Sequence, residues 1–198
     1  MILFKDLSKE MPFQIFKDKY DESIAANQKN VEAICIASYS NKKKEVNARY
    51  VNLKFVDKSD FIFFSNYNSP KSKEFNSHDQ VMGIFYWNSI NVQIRIKAKI
   101  RKTSISYNNN YFVNRDRQKN ALAISSHQSD VIASYSEVKT RFNKSLKNDN
   151  LDKCPEYWGG FSFTPYYFEF WEGHESRLNK REVYEKTDGD WSKSFLQP

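Results

Sequence analysis

Residues Ile90 to Arg101 alternate without a break, and no other stretch constrains the fold as strongly. Ile90, Val92, Ile94, Ile96, Ala98 and Ile100 fall on one side of an extended chain, and Asn91, Gln93, Arg95, Lys97, Lys99 and Arg101 on the other. A period of two requires a strand with one face on a core and one polar face. Strands of that kind belong to antiparallel sheets, because parallel sheets are covered on both sides. Most of the polar face is expected to be solvated, with Gln93 as the one candidate binding residue on it.

The remaining segments supply partners for this strand. Phe13, Phe16 and Ile24 recur near helical spacing, and Pro12 suits a first turn, which predicts a helix from Met11 to Asn30. Ala33 to Ala37 reads as a short strand, and Asn41 to Lys44 as a hairpin tip. Val46 to Val56 is expected to be one strand, with Val51, Leu53 and Phe55 on one face and Tyr50, Asn52 and Lys54 on the other. A turn at Lys58-Ser59-Asp60 leads into Phe61 to Phe64. Ser69-Pro70 marks a helix start, with Ser69 as N-cap. Lys71 falls in that first turn, where free N–H groups and a lysine make a candidate phosphate cradle.

Ser106 to Arg115 reads as a helix in which Tyr111 and Arg115, four apart, share a face and can grip one ligand. Ser134 to Glu137 forms a capping box ahead of a short basic helix through Phe142, followed by a polar loop from Lys147 to Lys153. Strands return at Phe161 to Phe163, Tyr167 to Trp171 and Val183 to Glu185, and Gly189-Asp190 turns the chain toward Trp191. Hairpin strands dominate, and no strand–helix–strand series appears. The expected class is α+β, mainly β: an antiparallel barrel with peripheral helices, in a single domain over residues 1–198.

A chain of 198 residues suits one core, and its 16% aromatic content predicts that Phe and Tyr build much of it. No stretch approaches the roughly 20 apolar residues of a membrane span. Met1 to Asp6 lacks a signal-peptide plan, and Cys35 and Cys154 are far apart with no Cys-x-x-Cys. The expectation is a cytoplasmic protein without metal, disulfide or membrane partner. A net charge of +7 favours anionic partners, although lysines are mostly solvated, so each cation needs its own argument. Gly-x-Gly-x-x-Gly, the Walker loop and Gly-x-Ser-x-Gly are all missing, and His78, His127 and His174 have no metal-ligand spacing. An enzyme built on this chain would take its chemistry from a bound cofactor. The C-terminal run Trp158-Gly159-Gly160, Glu169-Phe170-Trp171 and Arg177-Leu178-Asn179-Lys180-Arg181 offers flat surfaces for a ring and fixed charges for an anion.

These blocks, with Arg49-Tyr50-Val51-Asn52-Leu53-Lys54, Phe64-Ser65, Ser69 with Lys71, Gln93, Tyr111-Phe112 with Arg115, and Gln128-Ser129, resemble in order the pyridoxamine 5′-phosphate oxidase family. The resemblance implies a split β-barrel, an obligate homodimer and an FMN cofactor. It implies that Arg49, Val51, Leu53, Lys54, Phe64, Ser65, Ser69, Lys71, Gln93, Gln128, Ser129, Trp171 and Arg181 hold FMN, partly across the dimer interface. Lys54, Tyr111, Arg115, Lys119, Arg177 and Asn179 would bind substrate, with Arg177 and Asn179 at the catalytic positions. Residues from about 155 to 198 would form a dimerisation and substrate segment. The implied reaction is oxidation of pyridoxamine or pyridoxine 5′-phosphate to pyridoxal 5′-phosphate, by hydride transfer to flavin N5 and reoxidation by oxygen to peroxide.

Four positions depart from the family pattern. Asn179 stands where members usually carry histidine between the two arginines, and Lys119 where a serine usually helps bind the substrate phosphate. Pro70 replaces a basic residue beside Lys71, and Val92 replaces the arginine before Gln93. An amide cannot take a proton near neutral pH as histidine can. Another aromatic substrate for the same flavin chemistry, and a non-catalytic FMN or pyridoxal phosphate binder, are the alternatives. The order of the motifs argues against a nucleic-acid role.

Overall fold

The computed structural model describes residues 1–198. In chain order its elements are β1 (Leu3–Lys5), α1 (Met11–Ala25), β2 (Ala33–Ser40), β3 (Glu45–Asn52), β4 (Phe55–Asp57), β5 (Asp60–Asn66), α2 (Pro70–Ser77), β6 (Gln80–Trp87), β7 (Val92–Lys102), α3 (Ile105–Val113), α4 (Arg117–Ser125), α5 (Tyr135–Asn148), β8 (Trp158–Glu172), β9 (Lys180–Thr187) and β10 (Asp190–Phe195). The strands form one sheet in the order β1-β4-β5-β8-β7-β6-β2-β3, with β9 paired to β8 and β10 to β9. Every pairing is antiparallel except β1 with β4. The sheet curls without closing, which is the α+β split-barrel class the sequence predicted.

The alternating segment is β7, near the middle of the sheet. Val92, Ile94, Ile96, Ala98 and Ile100 are buried. They join a core in which α1 inserts Phe16 against Phe61, Phe85 and Trp87, and Phe13 against Phe61 and Phe168. The polar face of β7 is paired rather than merely wet. Arg95 bonds Glu169, Lys99 bonds Asp79, Arg101 bonds Asp60, and Lys97 lies over the Tyr167 ring.

Several boundaries differ from the sequence reading, each for a physical reason. The first helix ends at Ala25, because Asn27 and Asn30 take left-handed φ angles of 59° and 52°. Tyr20, not Ile24, continues its buried stripe, and Ile24 is 38% exposed. The predicted strand 46–56 is two strands. Up to Asn52 the chain pairs with β2; from Phe55 it pairs with β5. At the crossing the Leu53 N–H donates to the Glu32 carbonyl and the Lys54 N–H to that of Ile62. Conversely, 161–163 and 167–171 are one 15-residue strand, β8. Its first half pairs with β5 and its second with β9, and the register against β7 shifts between Lys97 and Ala98. Pro165 sits at that change of neighbour, where a missing N–H costs no regular ladder bond. Arg115 lies just past α3, and the basic helix runs beyond Phe142 to Asn148. Helix α4, capped by the Asp116 carboxylate on the Lys119 N–H, was not anticipated, nor were β1 and β6.

Gly159 marks a close approach. A Cβ there would lie 2.2 Å from the Tyr67 hydroxyl and 2.3 Å from Asn108 Nδ2. Those groups bond each other, and Asn108 Oδ1 also accepts from Thr103 Oγ1 and the Gly160 N–H. Gly159→Ala is therefore expected to cost about 1–3 kcal/mol by overpacking, read as a lowered midpoint in thermal or urea unfolding. An unchanged midpoint would show that the network can move aside.

Candidate functional site

A cleft of about 880 Å³ opens where β3, β5 and the start of α2 meet the α3–α4 corner and the loop carrying Gln128. The β3–α2 end presents Arg49, Val51, Ser65, Lys71, Gln128 and Ser129; the helical end presents Lys54, Phe64, Tyr111, Arg115 and Lys119.

Lys71 is the key to the first end. Pro70 starts α2 and places Lys71 in its first turn, only 8% exposed. Its ammonium donates to Ser69 Oγ at 3.2 Å and to Gln128 Oε1 at 3.1 Å. The same Gln128 oxygen accepts from Ser65 Oγ at 3.0 Å. Burial pulls the Lys71 pKa down to about 8, Arg49 adds to that effect, and Glu74 opposes it. Ser69 is fully buried and does not face the cleft; its side chain props Lys71 and donates to the Asn66 carbonyl instead of capping the helix.

Arg49 is held from behind. It donates to Glu74 at 2.8 Å, to Ser38 Oγ at 2.6 Å and to the Ile36 carbonyl at 3.2 Å. Glu74 is itself buried and accepts from Ser38 and Asn47. Glu74 was not singled out from the sequence, because a glutamate in a polar helix reads as a surface residue.

At the helical end, Tyr111 stacks on Phe64 with centroids 3.8 Å apart, and Phe64 stacks in turn near Trp158. The Arg115 guanidinium lies 4.9 Å from the centre of the Trp158 ring and donates to Asn120 Oδ1 at 3.1 Å. Tyr111 and Arg115 thus reach one cleft although Arg115 is outside the helix. Burial raises the Tyr111 pKa, partly offset by Arg115. Burial lowers that of Lys54; Glu32 opposes the shift, while Lys119 and Arg115 reinforce it. Burial also pushes the Cys154 thiol up to about 11, so it supplies no thiolate near neutral pH.

The other predicted residues lie elsewhere. Leu53 is fully buried in the core and its side chain cannot line the cleft. Gln93, Trp171 and Arg181 form one row across three strands: Gln93 faces Trp171, and Trp171 faces Arg181. None of the three touches the cleft. Arg177 is exposed in the β8–β9 loop with a φ of 64°. Asn179 closes that loop, its Oδ1 accepting from the His174 N–H at 3.0 Å. One chain therefore carries two separate groups of candidate residues.

The N-terminal part, residues 18–146, matches the family model described as pyridoxamine 5′-phosphate oxidase, and residues 158–198 match the pyridoxine 5′-phosphate oxidase C-terminal dimerisation region. The chain belongs to the pyridoxamine 5′-phosphate oxidase family. It is an FMN-dependent oxidoreductase. Among its relatives, the pyridoxine/pyridoxamine 5′-phosphate oxidase of Aliarcobacter butzleri is 34% identical over 198 residues, covering 98% of this chain and 92% of the relative. That of Paraburkholderia phytofirmans is 33% identical, covering 94% and 89%. The fold is similar to the crystal structure of PhzG from Burkholderia lata in complex with tetrahydrophenazine-1-carboxylic acid. The TM-score is 0.89 at 24% identity, over 94% of this chain and 92% of that one.

The cleft fits the cofactor of this family. Glu74 is spent on Arg49, Glu45 pairs with Lys43, and the Asp116 carboxylate caps α4. Lys54, Lys71, Arg115 and Lys119 have no carboxylate ion pair. Cations left unpaired in a half-buried cleft are a donor set for phosphate dianions.

Proposed function

We propose that this protein is a homodimeric, cytoplasmic oxidase of pyridoxamine or pyridoxine 5′-phosphate, with FMN held between the two chains. The observation that carries the reading is the cleft with four unpaired cations at two ends. Lys71, with Arg49, Ser65, Gln128 and Ser129, would hold the FMN phosphate. Lys54, Tyr111, Arg115 and Lys119 would hold the substrate phosphate. The separation of Gln93, Trp171 and Arg181 from this cleft supports a second chain: each site would be completed by the partner's copy of that row. When bound, FMN supplies the hydride acceptor and passes electrons on to oxygen. The protein's share is orientation. Charge fixes the phosphate ends, and the stacked Tyr111–Phe64 wall limits how the substrate lies, so proximity carries much of the barrier. Arg177 and Asn179 would approach the substrate ring.

Anaerobic addition of pyridoxine 5′-phosphate to the FMN-loaded protein is expected to bleach the flavin absorbance, and air to restore it with release of peroxide. An unchanged spectrum at millimolar substrate rules this substrate out. Two residues favour a second reading, in which the same chemistry acts on a different aromatic substrate. Lys119 adds a cation at the helical end of the cleft, and the Asn179 side chain is engaged with the His174 N–H. On that reading, Asn179→His raises turnover of pyridoxine 5′-phosphate; on the first, it does not.

A further inference from the structure

The Gln93–Trp171–Arg181 row rests on a second row one step along the sheet. Arg95 lies two residues beyond Gln93 on β7, and Glu169 two before Trp171 on β8, so both share the face of the first row. Glu169 is 1% exposed, and its carboxylate is fully engaged. Oε1 accepts from Arg181 Nε at 2.9 Å and Nη2 at 2.8 Å. Oε2 accepts from Arg95 Nη1 at 2.7 Å and from the Tyr167 hydroxyl at 3.0 Å. On the far side, Arg181 Nη1 donates to the Gln197 carbonyl at 3.0 Å.

We infer that Glu169 is a positioning residue for the cofactor: it sets the plane of the Arg181 guanidinium, with two N–H groups left free for FMN. The inference rests on the reading above that Arg181 holds FMN. Charge explains why three ionised groups are used. Arg95 offsets the buried carboxylate, so the trio keeps one net positive charge, and that charge stays available on Arg181. Two bonds from Arg181 to one oxygen fix a rigid fork, which lysine cannot reproduce. Arg95 is a counter-charge and takes no part in recognising the ligand.

The test is a double-mutant cycle on FMN affinity, measured by quenching of flavin fluorescence as apoprotein is added. Glu169→Gln and Arg181→Lys are each expected to weaken FMN binding about tenfold, and the double variant no more than either alone, because both remove the same fork. Arg95→Gln keeps the fork but removes the offsetting charge, and is expected to weaken FMN binding about threefold, less than either of those variants. If Glu169→Gln fails to fold, the Arg95→Gln/Glu169→Gln variant, whose two amides can bond each other, carries the measurement, and the same weakening is expected in it. Additive losses, or full affinity in Glu169→Gln beside a weakened Arg181→Lys, overturn the positioning role. Full affinity in Arg181→Lys overturns the underlying reading of Arg181, and the inference with it.

Discussion

Lys71→Met should weaken FMN binding by about 10- to 100-fold, the range expected when a charged hydrogen-bond donor is removed from a phosphate. Methionine matches the buried stem in size, so the apoprotein should fold. The pH dependence identifies the group. In the folded apoprotein the Lys71 pKa is about 8, against 10.5 for an unperturbed lysine. Between those values the unfolded chain binds the extra proton, so the contribution of Lys71 to apoprotein stability improves as pH rises from about 8 to 10.5. A phosphate dianion acts in the opposite direction, because it favours the ammonium form. FMN binding above pH 8 should therefore take up a proton, and affinity should fall as pH rises. Calorimetry in buffers of different ionisation enthalpy measures that uptake, and Lys71→Met should abolish it. Equal affinity and equal proton uptake in the variant would remove Lys71 from the phosphate site.

Arg115→Met should raise the KM for pyridoxine 5′-phosphate about 100-fold while kcat falls much less. Loss of a ground-state anion contact acts first on binding. Arg115→Lys should lie between the two, since lysine restores charge without the planar face that lies on Trp158 or the bond to Asn120. An unchanged KM in Arg115→Met would place the substrate phosphate elsewhere in the cleft. The two variants are distinguishable: Lys71→Met should lower the flavin content of the purified protein, whereas Arg115→Met should leave it unchanged.

Much of this site was legible from residue order. The helix start at Ser69-Pro70 places Lys71 in a first turn, and that local rule survives in the fold. The polar face of β7 looks solvated from periodicity alone, yet every long cation on it from Arg95 to Arg101 has a partner supplied by another segment of the chain. Those partners, Glu169, Tyr167, Asp79 and Asp60, are distant in sequence. Glu74 and Asn120 escaped notice for the same reason. Each is a polar side chain whose meaning depends on what a remote segment places beside it. The missed strand β6 is different: Val81, Phe85 and Trp87 do alternate, so its signal was present in the sequence.

The sequence by itself determined that this is a hairpin-rich antiparallel α+β chain and that its enzyme class and FMN cofactor are those of the pyridoxamine 5′-phosphate oxidase family. Periodicity and short motifs suffice for that, because they are local and act within a few residues. Only the tertiary structure decided which of those residues share a cleft. It gathered Lys54, Lys71, Arg115 and Lys119 and left them without carboxylates, buried Leu53 and Ser69, and set Gln93, Trp171 and Arg181 in a separate row in which Glu169 holds Arg181. Charge pairing and burial are long-range in sequence and short-range in space, so only the folded chain settles them.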